Sequence, residues 1–281
     1  GLLASIIFKV NYFFDPRSPF PEENVAAKRW VRGSLSHRLW KKIETVIVNR
    51  AVYNILVSPH LSELYLGVSQ HSRFAVVPNN YPALFEDPQF KLPNGDDAEY
   101  DLVYVGSFGH WNKPEPYIQL LSLLNRVGDG QIKMLFIIRS NAATDIERQA
   151  DRFAVDRSCF DVVSLPQSEV ASYLRQCRFG VYLMEMPDPR LGVKTVEYLA
   201  IGLPVIVSVQ ISGASEVVTS GRLGISWDHS DHSVKEIYDW MRAGREDWPD
   251  LTDRCREYAH RNFSPQAVGH QLVRLYEQVV N

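Results

Sequence analysis

From residue 101 onward, short apolar runs alternate with segments whose apolar residues recur at helical spacing. Strands are predicted at DLVYVGSF (101–108), KMLFIIRS (133–140), DVVSLP (161–166), FGVYLM (179–184), PVIVS (204–208) and GISW (224–227). Helices are predicted between them, at 115–127, 144–154, 168–177, 192–201 and 213–220. This alternation indicates a parallel sheet covered by helices on both faces. Ligands of such sheets bind at the carboxyl ends of the strands, where loops lead into helix N-termini.

The first ninety residues have a different pattern. They predict a long helix at 34–51, a strand at 52–58, a short helix at 59–65 and a strand at 73–80, followed by a polar connector at 81–100 without periodicity. Two or three strands are too few for an independent sheet domain, so we expect the end of a larger domain here. At the other end of the chain, a helix is predicted at 250–263, and the stretch at 265–280 predicts a final amphipathic helix.

The composition excludes several classes of protein. The chain has 281 residues, is 45% hydrophobic and carries a net charge of -3, which is typical of a globular protein and argues against general nucleic-acid binding. Its 3 cysteines have neither zinc nor disulfide spacing, which favours a reducing compartment. The apolar opening is interrupted by Lys9 and Asn11 and is too short to span a membrane. Because residue 1 is Gly, we expect a partial chain.

Familiar catalytic motifs are missing from the sequence. There is no G-x-G-x-x-G after a strand, no P-loop, no G-x-S-x-G elbow and no H-E-x-x-H helix. These absences argue against dinucleotide-binding Rossmann enzymes, P-loop nucleotidases, serine hydrolases and zincins. His229 and His232 are expected to be exposed capping residues rather than metal ligands.

Two loops at predicted strand ends contain basic residues. In VGSFGHWNKPEP (105–116), Gly106 allows a close backbone approach and Lys113 precedes a helix N-terminus, an arrangement that suits a phosphate. A glycine turn with a solvated lysine explains this loop equally well. In IIRSNAAT (137–144), Arg139 ends a buried strand, where a salt bridge or a capped turn is favoured over a ligand contact.

A third loop leads into RLGVKTVEYLAIGLPVIVS (190–208), an apolar helix that carries Lys194 and Glu197 on one side. The carboxylate could accept hydrogen bonds from the two hydroxyls of a ribose, and the lysine beside helix N-terminal amides could bind a diphosphate. An ion pair on the helix surface is the simpler interpretation if this segment is taken alone.

Together, these segments resemble the nucleotide-sugar-binding half of GT-B glycosyltransferases of the retaining family 4, or "glycosyl transferases group 1". VKTVEYLAIGLPVIVS resembles the family's K-x-x-E-[YA]-[ML]-A-x-G-x-P-V-[IV] segment, and VGSFGHWNK resembles its phosphate loop. Weaker similarity extends from about residue 28 to the end of the chain. The resemblance implies a GT-B fold of the α/β class, with Rossmann-like parallel sheets. It divides the chain into 1–85, the remainder of an N-terminal acceptor-side domain; 86–262, the donor domain; and 263–281, a helix that crosses back.

The resemblance also assigns roles to individual residues. Glu197 would hold the ribose, while Lys113 and Lys194 would act on the diphosphate of the donor. The backbone around Leu165 and Pro166 would receive the base. The donor loops would contribute the remaining candidates, which are Gly106, Ser107, Arg139, Arg190 and Gly192.

Two residues depart from the family pattern. Pro189 stands where the family has the first glutamate of E-x(7)-E, and Ser107 stands where it has an arginine. Arg190 could supply part of the missing positive charge. The sugar contacts implied by the family therefore do not transfer directly to this chain.

The implied activity is transfer of a sugar from a UDP-, GDP- or ADP-sugar to a glycan or lipid-linked acceptor, with retention of configuration and without a metal or other cofactor. The enzyme would be a hexosyltransferase, inactive as this partial chain. A degenerate GT-B module that binds a nucleotide or glycan without catalysis is the main alternative, favoured by Pro189 and Ser107. Nucleotide-sugar 2-epimerases share the fold but lack the 194–205 pattern in this form.

A basic stretch bears on partners and location. KRWVRGSLSHRLWKK (28–42) contains two tryptophans and no acidic residue. Such a segment suits an anionic membrane surface, which would place the protein in the cytoplasm, peripherally at the inner face of the membrane. A solvated helix with tryptophans in the core is at least as compatible with the pattern.

Overall fold

The computed structural model of the chain describes residues 2–67, 73–86, 92, 97–109, 112–128, 131–138 and 143–280. These residues form two parallel sheets, one of three strands and one of six. The three-stranded sheet comes first along the chain, and the six-stranded sheet begins at Tyr100.

The first sheet has the order β1-β2-β3, with β1 at Phe13–Phe14, β2 at Tyr53–Leu56 and β3 at Phe74–Val76. Its helices are α1 (Leu2–Phe8), α2 (Phe20–Ala26), α3 (Leu35–Arg50) and α4 (Pro59–Leu66). The helix predicted at 34–51 is α3, which begins after Ser34 because the Ser34 side chain accepts a hydrogen bond from the His37 amide. The strands are shorter than predicted, and neither α1 nor α2 was predicted as a helix.

The second sheet has the order β6-β5-β4-β7-β8-β9 and is parallel throughout. Its strands are β4 (Tyr100–Gly106), β5 (Met134–Ile138), β6 (Phe160–Val163), β7 (Cys177–Tyr182), β8 (Val205–Ser208) and β9 (Gly224–Trp227). All six were predicted, and β9 has the predicted bounds. The sequence pattern therefore identified every strand of this sheet.

Helices cover this sheet and continue to the end of the chain. They are α5 (Glu115–Val127), α6 (Ala143–Arg152), α7 (Gln167–Leu174), α8 (Val193–Ala200), α9 (Ser212–Ser220), α10 (Val234–Glu246), α11 (Trp248–Phe263) and α12 (Pro265–Val280). Of these, α10 was not predicted, although its buried Val234, Ile237 and Met241 have helical spacing.

Two apolar clusters lie on opposite faces of the six-stranded sheet. Along β4, Leu102 and Tyr104 belong to one cluster, while Val103 between them belongs to the other. Side chains alternate in this way because successive residues of a strand point to opposite faces. Since both faces of the sheet are covered, each strand is a continuous apolar run in the sequence. This feature made the strands predictable.

The C-terminal helix α12 packs on the first sheet. Its Val268 and Leu275 share a cluster with Ile55 and Val77, and the ring of its Tyr276 contacts Phe13 with centroids 4.6 Å apart. The end of the chain thus returns to the region where the chain began.

Two further expectations concern membranes and cysteines. Among the helices within the described ranges, none is both long and apolar enough to cross a membrane. The three cysteines are buried and unpaired. They pack as small apolar side chains.

Candidate functional site

A crevice opens between β4 and β7, where the order of strand connections reverses. The β4–β7 pairing runs only as far as Val103 opposite Gly180. Beyond that point, the Val105 amide donates instead to the Tyr198 hydroxyl, at 2.8 Å. Because the two strands separate at their carboxyl ends, this is the place where doubly wound sheets bind ligands.

Two buried tyrosines that were not predicted as site residues bind the backbone at the carboxyl ends of β4 and β7. Tyr198 on α8 holds the end of β4, while the Tyr117 hydroxyl on α5 accepts from the Leu183 amide (3.0 Å) and donates to the Leu183 carbonyl (3.1 Å). Both tyrosine side chains are fully buried, so their hydroxyls need partners. The sequence does contain a signal for these residues. Each tyrosine stands at a buried position of a predicted helix, where its hydroxyl needs a polar partner such as a backbone group.

A cavity of about 410 Å³ occupies the crevice. Its apolar lining comes from a single apolar cluster and consists of Phe85, Ile137, Leu165, Val170 and Leu174. The lining also brings together predicted site residues that are far apart in sequence, namely Gly106, Ser107, Lys194 and Glu197. A cavity with both polar and apolar lining suits a ligand with a charged part and a flat apolar part.

Lys194 lies in the first turn of α8 and reaches across the end of β4. Its Nζ is 5.7 Å from the ring centre of Tyr104 and 5.6 Å from that of Tyr182. A Cβ atom on Gly106 would lie 2.5 Å from Lys194 Cε, so the lysine can cross here only because residue 106 is glycine. Burial lowers the pKa of Lys194, and the charge of Glu197 partly offsets this effect.

Glu197 lies one turn further along α8 and is also half-buried. Burial raises the pKa of its carboxyl group, an effect that the charge of Lys194 partly offsets. In the described part of the chain, neither side chain forms a hydrogen bond or an ion pair. The interpretation as a surface ion pair is therefore wrong, since the two charges are partly withdrawn from water without pairing with each other.

The N-terminus of α8 has no side-chain cap. Gly192 occupies the capping position, and a Cβ atom there would lie 2.3 Å from Tyr182 Cε1. The first amides of a helix have no partner within the helix and favour negative charge. Gly192 thus leaves this end of α8 open beside Lys194.

The structure places Arg190 differently from the expectation. Its guanidinium binds the Asp188 carboxylate through two nitrogens at 2.8 Å and donates to Glu23 at 2.8 Å. Asp188 is only 5% exposed, so its charge requires this partner. Arg190 is not among the residues that line the crevice cavity, and its charge is already neutralised.

The backbone beside Arg190 is held by the first region of the chain. The Ser58 hydroxyl donates to the Pro189 carbonyl, and Asn79 donates to the Leu191 carbonyl at 2.9 Å. Pro189 is one of the residues that depart from the family pattern. Its backbone carbonyl thus takes part in a contact between the region of the three-stranded sheet and that of the six-stranded sheet. The segment 188–191 connects the helix that carries Lys194 to the N-terminal region.

Two more predicted residues, Lys113 and Pro166, lie outside the cavity lining. Lys113 is exposed just before α5, with its Nζ 3.8 Å from Glu185 Oε2. Pro166 is the N-cap residue of α7, directly after Leu165, which does line the cavity. Arg139 lies outside the described residues.

His229 is not the exposed capping residue that was expected. Its ring stacks on Trp227 with centroids 4.4 Å apart, and its Nε2 lies 2.7 Å from Ser208 Oγ. Burial lowers the pKa of His229. His232 is exposed, as expected. In the part of the chain that the structure describes, no group of three or more His, Cys, Asp or Glu side chains could hold a metal ion.

Solved structures share this architecture at low sequence identity. Sucrose-phosphate synthase from Thermosynechococcus elongatus is 19% identical, with a TM-score of 0.65 over 96% of this chain and 68% of that one. A glycosyltransferase from Rickettsia africae is 13% identical, with a TM-score of 0.70 over 100% of this chain and 80% of that one. Alr3699/HepE from Anabaena, in complex with UDP-glucose, is 15% identical, with a TM-score of 0.67 over 99% and 75%. These likenesses confirm the predicted GT-B fold.

Sequence comparisons point to the same family. No curated protein sequence matches the chain. The family profile described as Glycosyl transferases group 1 matches residues 86–262, which include the whole six-stranded sheet and the helix that carries Lys194 and Glu197. Since this match covers more than half of the chain, the protein belongs to the Glycosyl transferases group 1 family and is a glycosyltransferase of the GT-B fold.

Proposed function

We propose that the crevice between β4 and β7 binds a nucleoside-diphosphate sugar and that the whole enzyme transfers its sugar to an acceptor. One observation carries this proposal: Lys194 and Glu197 are half-buried beside the open end of α8 and have no ionic partner among the described residues. Unpaired charges in a crevice are expected where a ligand completes them.

The polar and the apolar lining of the cavity each suit one part of such a donor. The Glu197 carboxylate accepts hydrogen bonds from the ribose hydroxyls, and the Lys194 ammonium binds the diphosphate beside the first amides of α8. The apolar lining, with Phe85, Leu165 and Val170, takes the base. Lys113 lies near Glu185 and would have to move to reach the diphosphate. Because this pair is exposed and its charged atoms are 3.8 Å apart, separating the two side chains costs little free energy.

In the proposed reaction, the bond between the sugar's anomeric carbon and the diphosphate oxygen breaks, and a bond to an acceptor oxygen forms as that hydroxyl loses its proton. Negative charge accumulates on the leaving diphosphate. Fixed positive charge from Lys194 and the α8 N-terminus stabilises it most strongly in the transition state. Retention of configuration, the hexosyl group and independence from metal ions are carried over from the family.

The acceptor is proposed to be a glycan or a lipid-linked glycan, in polysaccharide biosynthesis at the cytoplasmic side of a membrane. The Anabaena neighbour was solved with UDP-glucose and with UDP, and the Staphylococcus aureus enzyme TarM with UDP and alpha-GlcNAc-glycerol. These complexes make UDP the first nucleotide to test.

Calorimetric titration with UDP, GDP and ADP, in buffer containing EDTA, tests the donor site. Binding of one nucleotide is expected, and Glu197→Ala should weaken it about 10-fold or more, because the ribose loses charge-assisted hydrogen bonds. Glu236→Ala, at an exposed residue of α10, is the matched control. Failure of all three nucleotides to bind, or equal affinity of the Glu197→Ala variant, would contradict the proposal.

A binding module without catalysis is the second candidate, favoured by Pro189 and its contact with Ser58. Such a module would bind the nucleotide as tightly as an enzyme does. Incubating the full-length protein with the sugar form of the bound nucleotide separates the two functions. Release of the free nucleoside diphosphate would support the enzyme, whereas binding without release in the presence of glycan acceptors would support the module.

A further inference from the structure

The N-terminal part of α3 and the turn before it expose large apolar side chains to solvent. Leu35 is 86% exposed, Val31 76% and Leu39 57%. Leu35 and Leu39 are four residues apart and so lie on the same side of the helix. Isolated exposed leucines are common, but neighbouring ones on a single helix side form a patch that suits a partner. We call Val31, Leu35, Leu39 and Trp40 the apolar tip.

Aromatic rings form one border of the apolar tip. Trp30 and Trp40 stack with centroids 6.3 Å apart, and Phe20 packs edge-on against both, at 5.6 and 5.1 Å. Trp40 and Phe20 are exposed, so this group lies at the surface. The interpretation that both tryptophans belong to the core is therefore wrong. Amphipathic indole rings at a surface are typical of membrane interfaces.

Positive charges alternate with the residues of the apolar tip along the chain. Arg29, Arg32, Arg38 and Lys42 are exposed, and we call them the basic collar. Within the described ranges, none of the four side chains forms an ion pair or a hydrogen bond. Lys41 differs, since its Nζ binds Glu44 at 2.7 Å and Glu22 at 3.0 Å. The collar thus has uncompensated charge, whereas the neighbouring lysine does not.

The tip and collar lie at the end of the first sheet that faces the donor segment. Helix α3 leads into β2, so its N-terminal half lies near the carboxyl end of that strand. Ser58, just beyond the carboxyl end of β2, donates a hydrogen bond to the Pro189 carbonyl. In α2, Phe20 joins the aromatic group while Glu23 binds Arg190. A partner on the apolar tip would therefore sit beside the cleft between the two sheets.

We propose that the apolar tip and basic collar dock this protein on an anionic phospholipid surface. The tip inserts its aliphatic and indole side chains among the lipid head groups, and the collar binds the lipid phosphates. The positive collar disfavours a second copy of this chain, because a symmetric interface would bring identical patches, and so like charges, face to face. The proposal is independent of nucleotide binding.

Sedimentation with vesicles tests the proposal, using phosphatidylcholine alone and phosphatidylcholine mixed with phosphatidylglycerol. Binding to the anionic vesicles is expected, with little binding to the neutral ones. The triple variant Arg29→Gln/Arg32→Gln/Arg38→Gln should lose on the order of a hundredfold in affinity, at about fivefold per basic side chain. The variant Leu35→Ser/Leu39→Ser should also weaken binding while retaining its dependence on anionic lipid.

Matched variants change the same residue types elsewhere. Arg148→Gln/Arg157→Gln/Arg242→Gln removes three exposed charges from the other region, and Leu64→Ser/Leu66→Ser alters two exposed leucines of α4. Both controls should bind as the wild type does. Equal sedimentation with neutral and anionic vesicles, or unchanged binding of the triple variant, would overturn the proposal. So would a dimer in sedimentation velocity that Leu35→Ser/Leu39→Ser converts to monomer, since a second copy would then cover the tip.

Discussion

Arg190 and Lys194 stand four residues apart on either side of the start of α8, yet the structure uses them in opposite ways. Arg190 is held by two carboxylates, one of them on the far side of the cleft. Lys194 contacts only aromatic faces and no carboxylate in the described part of the chain. The first pattern belongs to a structural ion pair and the second to a ligand site. The comparison teaches that the partners of a charge, rather than its presence, indicate its role.

The largest effect is expected from Arg190→Ala. The variant leaves the buried Asp188 carboxylate without its counter-charge, at a cost of about 3 kcal/mol in the free energy of unfolding. A lowered urea midpoint, followed by circular dichroism, measures this effect. Arg148→Ala, which breaks an exposed pair with Asp145, should leave the midpoint nearly unchanged. If Arg190→Ala behaved like that control, the distinction between the two basic residues would fail.

An opposite result is expected for Lys194→Met. Stability should change little, because no carboxylate is left unpaired, while nucleotide affinity should fall about 10- to 100-fold with the loss of one charge-assisted hydrogen bond. Thermal unfolding and calorimetric titration of the same preparation measure both quantities. Lys235→Met, at an exposed position of α10, serves as the control. A large loss of stability with unchanged affinity would make Lys194 a structural residue like Arg190.

The smallest effect concerns pH. Because burial raises the pKa of Glu197, its carboxylate should protonate, and nucleotide affinity should fall severalfold, at a higher pH than for an exposed glutamate. The Glu197→Gln variant should lack this loss of affinity at low pH. Subtracting its pH profile from that of the wild type removes the contribution of the ligand's own titration. A group with a raised folded-state pKa stabilises the fold at low pH and loses that contribution as pH rises through its pKa. Glu197→Gln should therefore be no less stable than the wild type near neutral pH.

The six-stranded sheet shows what a sequence pattern predicts well. Continuous apolar strands and amphipathic helices identified every strand, and the helix at 115–127 has the predicted bounds. Both features are local consequences of burial on two faces. By contrast, α10 was missed although its buried residues have helical spacing.

The candidate site was only partly predictable. Gly106, Ser107, Leu165, Lys194 and Glu197 do come together, as motifs at strand ends imply. The predicted helices contain Tyr117 and Tyr198, but the backbone groups that their hydroxyls bind could not be predicted, because that choice depends on how far two strands separate. Arg190 was assigned to the donor because Glu23, its partner, lies 167 residues away in sequence.

The amino-acid sequence by itself determined the parallel α/β architecture, since periodic burial is written locally into each strand and helix. It also determined which residue types stand at the strand ends. The tertiary structure alone decided which of those charges are neutralised and which stay open to a ligand. It likewise decided that the tryptophans of 28–42 lie at the surface. Both outcomes depend on contacts between segments far apart in the chain, and such contacts exist only once the two sheets and their helices have packed together.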